Sequence, residues 1–277
     1  MKPLKFILPL LLLFLLLTPL SAQRYIEEPS HQGPSVHYVT TTMSVPGYTG
    51  RSYTLCYDPS LRIARWVAYP LNKTLIGEGR RGEDWLPEPT LPEETQAILY
   101  RSFGNGYDRG HQIPSADRLE ADANAQTFRF TNATPQLHGF NGGIWAELEK
   151  VVRTWAKRSD TLYVVTGAVK GKNYANDNAG NPVNIPSAYY KTVLRRNTDK
   201  AGRVRWSACS VILIHEDTPV GTWKDNLVYF KENSLSVQDL EEITGESFFP
   251  RLKEVLGETE YRRLIDEHPK DNTWWWK

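Results

Sequence analysis

The hydrophobic pattern changes period several times along the chain. SYTLCY (52–57) and IARWVAY (63–69) are short apolar runs rich in aromatic and branched residues, with the turn residues Asp58, Pro59 and Ser60 between them. They predict a β-hairpin. A shorter strand is expected at 128–131, after which ATPQ turns the chain. Over 140–158 the period lengthens: Ile144, Leu148, Val151, Val152 and Trp155 fall on one helical face. TLYVVT (161–166) reads as a β-branched strand stopped by Gly167, and two further strands follow at 187–194 and 206–214. SVQDLEEITG places Ser236 at a helix cap, Asp239 three residues on and Gly245 at the end. Grouped, hairpin-joined strands with packed helices predict an α+β fold, mainly antiparallel.

The segments outside this pattern differ in composition. MKPLKFILPLLLLFLLLTPLSAQ has Lys2 and Lys5, then an apolar run, then the small residues Ser21 and Ala22. That is the order of a cleavable secretory signal over residues 1–22. Its apolar run falls short of the ~20 residues a spanning helix needs. Residues 23–50 are polar and punctuated by Gly and Pro, and read as a loosely ordered lead-in to one domain over 51–255. Residues 256–277 form a tail whose TWWWK end is expected to pack on the body.

Charge narrows the function. The chain has 33 Lys plus Arg against 32 Asp plus Glu; without Lys2 and Lys5 the balance is 31 to 32, or −1. A protein that packages nucleic acid carries a clear basic excess, so any polyanion contact here is local. Cys56 and Cys209, the only cysteines, could form one disulfide in an exported protein or stand as buried thiols in neighbouring strands. Neither lies in a CxxC or resembles a catalytic or metal-binding thiol.

The densest chemistry lies in YDRGHQIPSADR (107–118), where a carboxylate, a guanidinium, a glycine and an imidazole are adjacent. A solvated turn would explain it, because Gly, Asp and Pro favour turns. Its company favours phosphate chemistry. Asn132 follows in FTNATPQ, and Asn141, Glu149 and Arg153 lie on or beside the helix at 140–158. An imidazole base, oxygen ligands and guanidinium clamps suit divalent-metal phosphoryl chemistry. Glu149 and Arg153 are four apart and share a helix face. Asn141 and Glu149 are eight apart, roughly 12 Å along a regular helix. One workable arrangement has Asn141 as the direct ligand and Glu149 reaching the ion through a coordinated water; a solvated charged face with an incidental Asn fits the spacing equally. Mg²⁺ keeps several waters, so so sparse a site is reasonable.

YDRGHQIPSADR, FTNATPQ and NGGIWAELEKVVR, in that order, resemble the DNA/RNA non-specific endonuclease family, which has a ββα-metal (His-Me finger) core. ARWVAYPL upstream and VVTGAV, IPSAYYKTVL and VQDLEEITGESFF downstream extend the likeness. The resemblance implies metal-dependent hydrolysis of DNA and RNA without marked sequence preference, with Mg²⁺ as the cofactor and Mn²⁺ as an alternative. It implies that His111 is the general base and Asn141 the direct metal ligand. Glu149 would hold a metal-bound water that protonates the leaving oxygen. Asn132 would orient His111, and Arg109 and Arg153 would contact phosphate. Asp108 is left with no role beyond fixing its loop.

Two departures are visible. Pro70 stands where some relatives carry a basic residue, so that phosphate contact is either lost or moved to Arg80 or Arg81, and Gly142 loosens the start of the metal-bearing helix. The expected protein is a secreted or periplasmic nuclease; a non-catalytic binding module on the same scaffold is the alternative. There is no GxSxG elbow and no HExxH pair, and NYANDNAGNP lacks the EF-hand ligand order and reads as a polar turn.

Overall fold

The computed structural model describes residues 25–31, 33 and 36–277, so the predicted signal segment lies outside it. Seven antiparallel strands form the central sheet, in the spatial order Ser234–Leu235, Val204–Ile214, Ala188–Thr198, Thr161–Val169, Ile63–Leu71, Tyr48–Asp58 and His37–Val45. Both faces are covered, so the central strands are apolar almost throughout; in IARWVAYPL every residue but Arg65 is buried. Successive residues take opposite sides. Tyr53, Leu55, Val164 and Tyr189 pack under the helix Ala146–Lys157. Cys56, Val165 and Tyr190 pack under the helices Val237–Thr244 and Glu258–Asp266. Among the described residues no helix is long and apolar enough to cross a membrane.

The predicted hairpin, the two later strands and the helix capped by Ser236 form as expected. That helix carries a full capping box with Asp239, and Gly245 ends it in the left-handed conformation. Several expectations are corrected. The lead-in is not loose: His37–Val45 is the edge strand, and its alternating exposure shows one face on the core. Gly167 does not stop its strand, because the missing side chain makes room for Tyr190, whose ring carbon Cζ lies 2.1 Å from where a Cβ would stand. Residues 128–131 are not a strand; a short 3-10 turn, Phe130–Asn132, precedes a strand at Ala133–Leu137.

Cys56 and Cys209 are free, buried, and not in neighbouring strands. Three strands lie between theirs, roughly 19 Å of sheet, whereas a disulfide needs Cα atoms within ~7 Å. They also face opposite layers of the core. Burial pushes both thiols up, Cys56 to about 12, so neither is reactive.

The tryptophan tail packs down, as expected. Trp275 is fully buried with its ring centroid 4.8 Å from that of Trp155, and Trp155 Nε1 donates to the Trp275 carbonyl at 2.8 Å. The tail thus packs with the buried face of Ala146–Lys157, the helix that carries Glu149.

Candidate active site

Tyr107–His111 is not a tight loop but a strand, paired antiparallel with Ala133–Leu137 in a two-stranded ribbon. Each ribbon strand is an edge, which tolerates Pro135 opposite Arg109. Nor does Gly110 serve a turn. The Gln136 side chain crosses it, and a Cβ there would stand 2.2 Å from Gln136 Cδ. Beyond Leu137 the chain runs through His138–Phe140 into a wide helical turn, Asn141–Trp145, and then into Ala146–Lys157. Gly143, at φ −102° and ψ −118°, breaks the helix between Asn141 and Glu149, so the regular-helix separation does not apply. Strand, strand and helix together frame the site.

The two-residue period of a strand puts Arg109 and His111 on one side of the ribbon, and both meet Trp85. The Arg109 guanidinium lies 5.0 Å over that ring, and the His111 ring centroid is 4.7 Å from it. Phe128 meets His111 edge-on at 4.8 Å. Arg109 also donates to the carbonyls of Leu99 and Tyr100, at 2.9 and 2.8 Å, which fixes the stem of the guanidinium. Among the described residues no hydrogen bond joins the Asn132 side chain to the imidazole. That side chain bonds both the amide and the carbonyl of Ile113 and the carbonyl of Thr127, holding the backbone that leaves His111.

His111 is 8% exposed, and its Nε2 is buried with no partner among the described residues. Burial, then the guanidiniums of Arg81 and Arg109, pull its pKa down to about 3. The ring is therefore neutral across the physiological range, with a lone pair free to accept a proton. Phosphate bound to the two arginines would offset their charge and raise that basicity. The depressed value also has a stability consequence. Between about pH 6.5 and 3 the unfolded chain takes up a proton that the folded chain refuses, so stability is fully present above ~6.5 and falls as pH drops. In denaturant titrations from pH 6 to 4, the wild type should lose up to about 1.4 kcal/mol per pH unit more than His111→Gln. Equal slopes for the two proteins would show that His111 is not desolvated.

On the opposite side of the same strand, Asp108 does what the sequence did not reveal. Its Oδ2 accepts from Asn141 Nδ2 at 3.0 Å and lies 2.9 Å from His138 Nδ1. With its nitrogen held, Asn141 keeps Oδ1 without a hydrogen bond from any described residue. Further along the helix, Glu149 is 14% exposed in its side chain, and among the described residues its ion-pair partner is Arg153 at 4.0 Å. Burial pushes its carboxyl up, against the pull of Lys191, Arg153 and Arg81. Lys191, buried in the sheet, is pulled down by the same desolvation; it donates to Thr166 Oγ1 at 2.7 Å and lies 4.7 Å over the Trp145 ring.

Arg153 is not a free clamp. It pairs with the buried Asp117 at 2.9 Å, and Asp117 also accepts from Tyr69 Oη at 2.9 Å. Arg81, by contrast, pairs with no carboxylate among the described residues, lies 5.6 Å over Phe128 and is felt electrostatically by both His111 and Glu149. It fits the displaced phosphate contact expected at Arg80 or Arg81. Asp117, Lys191, Trp85 and Phe128 escaped the sequence reading, because their partners are remote in the chain.

Among the described residues no group of three or more His, Cys, Asp and Glu could hold a metal. An ion bound here would rest on few protein atoms and on water. The available donors, Asn141 Oδ1 with the Glu149 carboxylate behind it, are hard oxygens and suit Mg²⁺ or Mn²⁺.

A family model described as DNA/RNA non-specific endonuclease matches residues 34–255. The chain is 30% identical over 246 residues to a mitochondrial nuclease EXOG of Danio rerio, covering 83% of this chain and 69% of that protein. It is 31% identical over 202 residues to a nuclease of Nostoc sp., covering 71% and 70%. Human mitochondrial endonuclease G is 32% identical over 155 residues, 52% of each chain. Among solved structures, a chain of the EndoG/EndoGI complex is similar with a TM-score of 0.57 at 21% identity, covering 76% of this chain and 85% of that one, a likeness of fold.

Proposed function

The chain belongs to the DNA/RNA non-specific endonuclease family and hydrolyses phosphodiester bonds, and on that premise we propose that it is an exported, Mg²⁺-dependent nuclease with His111 as general base. The observation that carries this reading is the ribbon strand Tyr107–His111. One side presents a buried imidazole beside an arginine; the other presents the carboxylate that accepts from Asn141.

In this reading His111 Nε2 takes the proton of the attacking water. Arg109 and Arg81 meet the non-bridging phosphate oxygens, where charge grows in the transition state. Glu149, whose carboxyl is held toward the neutral form, steadies the water that returns a proton to the leaving oxygen. Arg153, tied to Asp117, keeps Glu149 in place and offers its remaining N–H groups to phosphate. Asn141 Oδ1 would hold the divalent ion, which supplies Lewis-acid stabilisation of the phosphate oxygens. Being neutral, the amide leaves the ion's charge for the substrate.

Contacts of this kind reach the backbone and carry no base information, which supports action on both DNA and RNA. The leader at residues 1–22 supports export to a secreted or periplasmic location. The test is incubation with supercoiled plasmid and, separately, RNA, each with Mg²⁺ or EDTA. Cleavage of both polymers, abolished by EDTA, is expected. A folded protein that binds both and cleaves neither with any divalent ion would instead be a binding module on this scaffold.

A further inference from the structure

We propose that His215 is a positioning residue for the metal-bearing turn, acting from outside the family motifs. The proposal rests on reading Asn141 as the ligand. His215 follows the last residue of the sheet strand Val204–Ile214 and reaches across to the ribbon. The Leu137 amide donates to its Nε2 at 2.8 Å, so the ring proton sits on Nδ1, which donates to the Pro186 carbonyl at 2.8 Å. One imidazole thus ties the sheet to the residue that closes the ribbon.

Its place makes that tie relevant to the site. Leu137 lies four residues before Asn141 and pairs with Tyr107, the neighbour of Asp108. The His215 ring also packs against Phe140 at 5.2 Å, Tyr189 at 5.1 Å and Tyr107 at 6.1 Å. It therefore touches both backbone segments whose side chains, Asp108 and Asn141, bond each other. Residues that follow it continue the contact. A Cβ on Gly139 would stand 2.5 Å from Asp217 Oδ1, and one on Gly143 3.5 Å from Val220 Cγ2. Because Gly143 breaks the helix, the turn bearing Asn141 lacks the support of a continuous hydrogen-bond ladder, and outside contacts must set its angle. Displacing a ligand-bearing segment by even 1 Å is costly to catalysis.

The experiment compares wild type with His215→Phe, His215→Gln and Asn141→Ala. Mn²⁺ binding is followed by loss of the free-ion EPR signal, and kcat and KM are measured on plasmid. Phe keeps the ring contacts and removes both hydrogen bonds, whereas the Gln amide can both accept from Leu137 and donate to Pro186. His215→Phe should weaken Mn²⁺ binding and lower kcat by about tenfold each, with KM for DNA within about twofold; Gln should recover most of both losses. If the Phe variant does not fold, His215→Asn replaces it, since Asn reaches Pro186 but not Leu137. Wild-type Mn²⁺ binding and kcat in the Phe or Asn variant, a loss confined to KM, or a Gln variant no better than Phe would overturn the proposal. Normal Mn²⁺ binding in Asn141→Ala would overturn the ligand assignment and this inference with it. A shift there with none in His215→Phe would overturn this inference alone.

Discussion

Replacing His111 with alanine or asparagine should lower kcat by about a thousandfold while affinity for nucleic acid stays within a few-fold. The two quantities separate because the ring and the phosphate contacts belong to different groups. Arg109 is fixed by the carbonyls of Leu99 and Tyr100 and by the Trp85 ring, none of which depends on the imidazole for its hydrogen bonds. Arg81 lies over Phe128. Losing His111 also removes no cation near neutral pH, since burial and both guanidiniums hold it neutral; the salt dependence of DNA binding should therefore keep its slope. Asparagine is the more informative variant, because alanine leaves a cavity between Trp85 and Phe128. Plasmid nicking rates and filter binding on the same preparations decide the matter. A near-normal rate in a folded Asn variant would refute His111 as the base, and equal losses in rate and affinity would make it a packing residue.

How much of this was legible in the sequence depends on the distance over which each signal acts. The helix Val237–Thr244 was readable to its caps, because capping boxes are local. The hairpin around Asp58 was readable for the same reason. Ordered motifs named the family and brought His111, Asn141 and Glu149 forward. What failed was conformation where local preference and tertiary context disagree. Asp, Gly and Pro suggested turns in residues that the ribbon draws into strands, and Gly110 and Gly167 are placed by neighbours remote in sequence, Gln136 and Tyr190. The strand His37–Val45 did alternate, but its Thr-rich exposed side resembles a polar lead-in. The pairings that tune the site (Asp108 with Asn141, Asp117 with Arg153) join residues more than thirty positions apart, and nothing in the local pattern marks them.

The Asp108–Asn141 pairing yields the sharpest separation between holding the ion and doing proton chemistry. Asn141→Ala should lower kcat by about a hundredfold or more, and should raise the Mg²⁺ concentration needed for half-activation by about tenfold. His111→Asn, in contrast, should leave that concentration near the wild-type value. In this reading Asp108 acts on the ion only through Asn141, by accepting from its Nδ2 and so keeping Oδ1 as the free oxygen. Asp108→Ala removes that acceptor and lets the amide rotate, so its losses should follow those of Asn141→Ala in kind and be smaller in size. Asp108→Asn retains an oxygen that can accept the same hydrogen bond, without the charge, and should fall between Asp108→Ala and wild type. Excess Mg²⁺ should restore most of the rate in both Asp108 variants, because the ligand is still present and only its orientation is less favourable. It should restore little in Asn141→Ala, where the ligand itself is gone. If Asp108→Ala instead showed unchanged Mg²⁺ dependence with a weakened fold, Asp108 would be a structural anchor for His138 and the turn, and the orientation of Asn141 would have to come from the contacts of Leu137 and Phe140 with His215 alone.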